Sequence, residues 1–216
     1  MGRTRRAAIH TNAGLKRELE ALAAEDADLW VALERAGAPE ARHRATGFPS
    51  LLRTIVGQQL SVKAAATIHG RVVAMLPDPP TPASLAGVDD EALRGAGLSR
   101  RKVTYVRSLA AAVGDGSLDL DALPKLDDEE AIKAITQVKG LGRWSAEMYL
   151  IFALGRPDIW PVDDLGVRVG TGRMLGLEER PTARELRSIG ERWSGRRSAV
   201  ALLAWHFISA VPLESD

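Results

Sequence analysis

The stretch ITQVKGLGRWSA, residues 135–146, indicates how the chain is built. An apolar helical pattern runs into Gly140-Leu141-Gly142, and the pattern of a second helix begins at once. Two glycines allow a tight turn and leave the backbone open to an incoming group. The first N–H groups of the following helix have no partner within it and favour an anion. The stretch predicts a helical hairpin that binds phosphate, although a plain turn between helices can carry the same glycines.

The composition is that of a globular protein without a strong net charge. The chain has 216 residues, 45% hydrophobic and 26% charged, and its formal net charge is +1. A contact with nucleic acid would therefore need a local basic patch. Cysteine is absent, which excludes disulfides, a cysteine nucleophile and a cysteine-ligated iron–sulfur cluster. No apolar run suits a membrane span and the first residues lack a signal-peptide pattern, so we expect a cytoplasmic protein with no membrane partner.

Apolar positions recur at helical intervals along most of the chain. Two adjoining helices are predicted for residues 12 to about 36, and a helix, a break and a second helix for residues 50–76. Neither a period-2 alternation nor a repeat of roughly 20 to 50 residues is visible. The patterns predict an all-α fold of about nine to eleven short helices.

Two polar segments interrupt this apolar pattern. Gln58 and Gln59 stand at the break between two apolar helices, where they are either solvated or able to insert into a substrate with both donors and acceptors. Arg100, Arg101 and Lys102 occupy the first turn of a predicted helix, where positive charge opposes the helix dipole. That basic turn is either a solvated face or a phosphate contact.

Two adjacent carboxylates, Asp163 and Asp164, precede another predicted helix. An aspartate in this position is a good N-cap, which stabilises a helix by about 1 kcal/mol. A carboxylate can also stabilise a developing cation and orient or deprotonate a water molecule. Both roles are compatible, because the N-terminus of a helix favours a negative charge.

Four segments together resemble the DNA glycosylases of the helix-hairpin-helix superfamily, and among them the 3-methyladenine DNA glycosylases of the second, alkylation-repair type. The segments occur in the family's order and cover roughly residues 45 to 210. They are IVGQQLS at 55–61, VKGLGRWSA at 138–146, PVDDLGVR at 161–168 and WSGRRSAVALLAW at 193–205. The chain has no room for the extra N-terminal β domain of the longer members, so it resembles their compact form.

The resemblance implies a particular domain organisation. Residues 1–216 would form a single glycosylase unit with two helical lobes and the active-site cleft between them. The middle lobe would span about residues 50–155 and contain the hairpin at 136–146. The second lobe would combine residues 12–49 with 156–216.

The resemblance also implies an activity, namely that of a base-excision-repair enzyme that acts on double-stranded DNA. Such an enzyme flips an alkylated purine of the 3-methyladenine or 7-methylguanine type and removes it by hydrolysis, which leaves an abasic site. Asp164 matches the essential aspartate, with Asp163 secondary. Trp144 stands where bifunctional relatives carry a lysine nucleophile, so the expected enzyme is monofunctional. The alternatives are a glycosylase for hypoxanthine or uracil, a non-catalytic DNA-binding module, and a helical protein–protein scaffold.

The remaining expected site residues fall into four groups, each implied by the resemblance. The base pocket would contain Trp144, Trp205, Trp160, Tyr149 and Phe48. Gln59, with Gln58, would intercalate where the flipped base had been. Lys139, Gly140, Gly142, Arg143 and Trp144 would bind DNA phosphates. The main-chain carbonyls of Thr136, Val138 and Leu141 would hold a Na+ or K+ ion, with no other cofactor required, and the protein would act as a monomer.

Overall fold

The computed structural model describes residues 8–212. Within this range every regular element is a helix and no strand occurs, so the predicted all-α class is confirmed. The same range contains twelve α-helices, slightly more than predicted because two are only five and six residues long. The helices are α1 (Asn12–Ala23), α2 (Ala27–Ala36), α3 (Phe48–Gly57), α4 (Val62–Val73), α5 (Pro82–Ala86), α6 (Asp90–Gly95), α7 (Arg100–Gly114), α8 (Asp128–Thr136), α9 (Arg143–Phe152), α10 (Leu165–Met174), α11 (Ala183–Gly190) and α12 (Arg197–Ala210). Among residues 8–212, no helix is both long enough and apolar enough to cross a membrane.

Contacts between backbone positions divide the chain into two compact units. The hairpin unit is Arg44–Tyr149, and the aspartate unit combines Met1–His43 with Leu150–Asp216. The change from one unit to the other thus falls at residues 44 and 150, where the sequence predicted it near 50 and 156. Helix α9 contributes its first seven residues to the hairpin unit and its last three to the aspartate unit.

The core of the hairpin unit forms where α3 packs against α4 and α7. Helix α3 buries most of its residues, whereas α7 buries one stripe that recurs every three to four residues. Helix α3 begins two residues earlier than predicted, after Gly47 rather than at Ser50, because Gly47 adopts a φ of 88° that starts the chain on its helical path. Ser61, Ser99 and Asp127 cap the N-termini of α4, α7 and α8, since each side chain accepts a backbone N–H of its helix.

The core of the aspartate unit forms where α10 crosses α12. Helix α12 is apolar on nearly all sides and is buried from Ser198 to Ala204. The two helices approach closely at Gly170, where a Cβ atom would stand only 2.0 Å from the carbonyl oxygen of Ala204. Nearer the start of α10, Gly166 likewise lies close to Trp205 of α12.

Candidate functional site

The hairpin predicted from residues 135–146 is present between α8 and α9. Its turn is closed by two backbone hydrogen bonds, from Val138 N–H to the Ile135 carbonyl at 3.1 Å and from Leu141 N–H to the Val138 carbonyl at 3.0 Å. Gly140 has a φ of 94°, and a Cβ atom there would lie 2.1 Å from the ring of Tyr105. Only glycine satisfies both constraints at this position. Gly142 is exposed, and a Cβ atom there would meet nothing within 4 Å.

Gln58 joins the α3–α4 turn to the hairpin. Its side-chain amide donates to the carbonyl of Gly140 at 2.8 Å and to the hydroxyl of Ser145 at 3.2 Å. A side chain held by two hydrogen bonds within its own unit braces the hairpin instead of projecting from the surface. The intercalating role of Gln58 beside Gln59 stays a prediction.

Gln59 stands at the exposed tip of the same turn. Its φ of 56° is in the left-handed region, which residues other than glycine seldom adopt. The neighbouring apolar side chains are also solvent-exposed, Leu60 to 39% and Val62 to 85%. The turn therefore presents a projecting polar and apolar tip, and the intercalating role of Gln59 stays a prediction that this position suits.

The guanidinium of Arg143 forms ion pairs with carboxylates of its own unit. Its guanidinium pairs with Glu129 at 2.5 and 2.9 Å and with the buried Glu147 at 3.0 Å. The hydrogen bonds to Glu129 are the largest cause that raises the pKa of Arg143, and the same contact lowers the pKa of Glu129. With its charge matched by two acids, Arg143 stabilises the hairpin, and its role as a phosphate contact stays a prediction. Lys139 remains exposed.

A cavity of about 450 Å³ opens beside the hairpin, entirely within the hairpin unit. It brings together residues predicted for DNA contact with residues from the first turns of α7. Its lining consists of Gln58, Gln59, Ser99, Arg101, Lys102, Tyr105, Gly140, Gly142, Trp144 and Ser145. Arg101 and Lys102 belong to the basic turn seen in the sequence, whereas Tyr105 was not among the predicted site residues. The spacing of four between Arg101 and Tyr105 places both on one helical face and could have revealed the pair.

Asp164 begins α10 in the aspartate unit, where it is the predicted N-cap. Its Oδ1 atom accepts the N–H of Val167 at 2.9 Å and the indole N–H of Trp205 at 2.8 Å. Phe152 stacks on Trp205, with 5.7 Å between ring centroids. Gly166 leaves room for this arrangement, because a Cβ atom there would stand 2.7 Å from Trp205. The structure thus joins the two residues that were predicted as catalytic acid and pocket wall, while Asp163 is exposed beside them.

The aromatic residues predicted for the base pocket differ in how far they are buried. Trp160 is only 7% exposed, donates its indole N–H to the Leu186 carbonyl at 2.8 Å and packs edge-on against Trp193. This makes Trp160 a core residue of the aspartate unit, which corrects its prediction as a pocket wall. Phe48 and Tyr149 are buried as well. The Tyr149 hydroxyl accepts the Gly47 N–H at 2.9 Å, and burial raises its pKa.

Trp144 and Trp205 remain accessible in part. Trp144 lines the cavity beside the hairpin. Trp205 lines a second cavity, of about 440 Å³, in the aspartate unit. Polar side chains from Glu40, Arg42 and His206 also line that second cavity. Each tryptophan offers a flat face of the kind on which a base can stack.

The carbonyl groups predicted to hold a cation lie on the turn of the hairpin. Residues 8–212 contain no cluster of three or more His, Asp or Glu side chains suited to a metal ion. Main-chain carbonyls instead suit a hard monovalent cation. The Val138 carbonyl accepts one backbone N–H, and its second lone pair can take a further ligand. The carbonyl oxygens of Thr136, Val138 and Leu141 are therefore ligands of a kind that suits Na+ or K+.

Comparison with known proteins decides the family. Residues 52–195, more than half of the chain, match the family model described as HhH-GPD superfamily base excision DNA repair protein. The chain belongs to this superfamily. It is also 35% identical over 161 residues to DNA-3-methyladenine glycosylase 1 of Schizosaccharomyces pombe, which covers 73% of this chain and 71% of the relative.

Solved structures agree with this membership. A 3-methyladenine DNA glycosylase of Schizosaccharomyces pombe in complex with abasic DNA superposes with a TM-score of 0.81 at 31% identity, covering 88% of this chain and 95% of that one. A DNA-3-methyladenine glycosidase from Bacillus halodurans superposes with a TM-score of 0.74 at 36% identity, covering 87% of each chain.

Proposed function

We propose that this HhH-GPD protein is a monofunctional DNA glycosylase that removes alkylated purines of the 3-methyladenine or 7-methylguanine type from double-stranded DNA. The observation that carries the proposal is the carboxylate of Asp164, held at the start of α10 by the Val167 N–H and by the indole of Trp205. The relatives named as 3-methyladenine glycosylases support the substrate class.

The chemistry begins with a base taken out of the helical stack. The glycosidic bond then breaks through an oxocarbenium-like state, and the bonding electrons leave with the base. A purine made cationic by alkylation departs as a neutral molecule, so it needs little help in leaving. Asp164 stabilises the cationic sugar and accepts the proton of the water whose oxygen bonds to the anomeric carbon. The products are a free base and an abasic site.

Binding of the substrate is divided among several parts of the chain. The backbone N–H groups at Gly140 and Gly142, with Lys139, bind phosphates and therefore act on any DNA sequence. Gln59 fills the space that the flipped base leaves. Trp205, which is hydrogen-bonded to Asp164, offers a face on which the electron-poor base stacks and which attracts its positive charge. Trp144 offers a face of the same kind within the hairpin unit. A Na+ or K+ ion on the hairpin carbonyls would add a further positive charge for the phosphate.

The proposed enzyme is monofunctional because Trp144 stands at the position where bifunctional relatives carry the lysine nucleophile. Trp144 directly follows Gly142-Arg143, and the nearby amine of Lys102 donates a 2.7 Å hydrogen bond to the Val56 carbonyl. Without an amine at that position the covalent route of those relatives is not open to this protein. We expect abasic product with an intact strand, and strand cleavage at neutral pH without heat or alkali would contradict this part of the proposal.

The test of the whole proposal is Asp164→Asn beside Asp163→Asn as a matched control. Asparagine is also a good N-cap, so D164N should fold normally. We expect D164N to lose about 100-fold or more in the single-turnover rate of base release while it still binds alkylated duplex. D163N, which makes the same change on an exposed neighbour, should retain the wild-type rate. An unchanged rate in D164N would remove Asp164 from the mechanism.

The preferred base is a matter for direct measurement. Release of 3-methyladenine, 7-methylguanine, 1-methyladenine, hypoxanthine and uracil from otherwise identical duplexes would rank the substrates. We expect the first two to be released fastest, and preferential release of hypoxanthine or uracil would replace the proposed substrate class. Action as a monomer and a cytoplasmic location stay predictions.

A further inference from the structure

We infer that Arg101, positioned by Tyr105, is a binding residue for a DNA backbone phosphate beside the hairpin, in addition to the backbone of Gly140 and Gly142. The inference rests on the proposed function only in that its ligand is DNA. It concerns binding and leaves the chemistry at Asp164 aside.

The first observation is that Tyr105 holds Arg101 in one orientation. The Nε atom of Arg101 donates to the Tyr105 hydroxyl at 2.5 Å, and the guanidinium lies 5.7 Å from the centre of the tyrosine ring. This contact uses Nε, and the two terminal nitrogens of the guanidinium have no hydrogen-bond partner among residues 8–212. A guanidinium held in this way can donate two parallel hydrogen bonds to one phosphate.

The second observation is that Tyr105 is fixed against the hairpin itself. Its ring occupies the space where a side chain at Gly140 would be, because a Cβ atom there would lie 2.1 to 2.5 Å from three ring carbons. A single aromatic side chain thus contacts both the arginine and the turn that offers backbone N–H groups. The position of the Arg101 charge is therefore set relative to those N–H groups.

The third observation concerns the other charges of this surface. Arg143 is matched by Glu129 and Glu147, so it adds little positive potential. Lys102 donates its amine to the Val56 carbonyl, and burial lowers its pKa. The cavity beside the hairpin is lined by Arg101 and Lys102 but by no aspartate or glutamate. Arg101 is thus the cation of this lining with the most hydrogen-bond donors left for an anion.

The proposal also bears on one charge of the basic first turn of α7, that of Arg101. A positive charge at the N-terminus of a helix is unfavourable toward the helix dipole, and solvent or a bound anion can compensate for it. A phosphate bound by Arg101 is such an anion.

The experiment compares Arg101→Ala with Arg100→Ala on an undamaged duplex. Both variants remove one charge from the same helical turn, but Arg100 does not line the cavity. We expect R101A to bind about tenfold more weakly at low salt and to reduce the slope of log affinity against log salt by about 0.9. R100A should keep the slope of the wild type.

Tyr105→Phe tests the positioning role, since it keeps the ring against Gly140 and removes only the hydroxyl. We expect Y105F to weaken binding by less than R101A and to have no further effect when R101A is already present. Thermal unfolding of each variant controls for loss of the fold. A wild-type salt slope in R101A, or an equal loss in R100A, would overturn the inference.

The outcome is separable from that of the proposed function. Binding to undamaged duplex involves no base release. If the wild type releases no base but R101A still binds DNA more weakly than the wild type, the proposed activity falls and this inference stands. Conversely, normal base release by a wild type whose affinity does not depend on Arg101 would sink this inference alone. If the wild type shows no salt-dependent DNA binding, both fall.

Discussion

The indole of Trp205 donates to the same Oδ1 atom of Asp164 that caps α10, at 2.8 Å. This shared acceptor ties the orientation of the carboxylate to two elements at once, the N-terminus of α10 and the middle of α12. Gly170 allows those helices to pack closely, so the carboxylate is held by the packed core of the aspartate unit. A residue placed by packed helices keeps its geometry better than one placed by a loop.

Trp205→Phe removes this hydrogen bond and keeps an aromatic ring stacked on Phe152. Loss of a hydrogen bond to a charged group costs about 1.5 kcal/mol or more, so we expect the single-turnover rate of base release to fall about tenfold. In an Asp164→Asn background the same change should have a much smaller effect, because Trp205 acts through Asp164. Equal losses in both backgrounds would show instead that Trp205 acts directly on the base.

Gly140→Ala and Gly142→Ala separate folding from binding at the hairpin. At Gly140 the left-handed backbone and the clash with Tyr105 should together destabilise the protein by about 2 to 4 kcal/mol. At Gly142 the added methyl group has open space, so stability should change by less than about 0.5 kcal/mol while DNA affinity falls. Chemical denaturation and duplex binding measure the two effects. Unchanged DNA affinity in folded G142A would argue against close approach of a phosphate there.

Asp26→Ala should destabilise the aspartate unit far more than Asp28→Ala. Asp26 caps α2 and accepts the buried indole N–H of Trp193 at 2.8 Å, so its loss removes a cap and leaves that donor unpaired. The two effects together amount to about 2 to 4 kcal/mol. Asp28 also pairs with Arg192, but its side chain is 51% exposed, and an exposed ion pair contributes at most about 1 kcal/mol. Similar losses of unfolding free energy in the two variants would contradict this account.

The half-buried His69 predicts a loss of stability in mild acid. Burial is the main cause that lowers its pKa, and the nearby positive charges of Arg53 and Arg44 lower it further. The pKa of His69 in the unfolded chain is about 6.5, so below that pH the unfolded chain binds the proton more readily than the folded protein does. The free energy of unfolding therefore falls as the pH drops, until the pH is also below the pKa of His69 in the folded protein. His69→Gln should flatten the decline in unfolding free energy between pH 7 and pH 5. His10, whose pKa burial also lowers, should account for part of the remaining slope. An identical slope in H69Q would refute the assignment.

Much of the fold could be predicted because its signals are local. Capping side chains such as Ser99 and Asp127 lie within three residues of the N–H groups they accept, and helical periodicity is visible in any window of a dozen residues. The hairpin at 135–146 was predicted for the same reason, since its glycines and its flanking helices are adjacent in the chain. The number of helices was less accurate, because α5 and α6 are too short for a clear period.

The candidate site was predicted only in part, because its contacts join distant parts of the chain. Gln58 appeared able to enter DNA, but it hydrogen-bonds to Gly140, 82 positions away. Arg143 appeared to be a free cation, but Glu129 on the preceding helix matches its charge. Trp160 appeared to be a pocket wall, but it packs in the core against Trp193. No local pattern contains these partners.

The sequence by itself determined the helices, their caps and the hairpin, since each depends on residue types at short, fixed spacings, and the resemblance of four segments indicated the superfamily. Only the tertiary structure decided which charges are neutralised and which side chains are held, as with Arg143 beside its two acids and Arg101 beside Tyr105. The physical reason is that charge and hydrogen-bond partners depend on distance in space. The chain brings them together only when its helices pack.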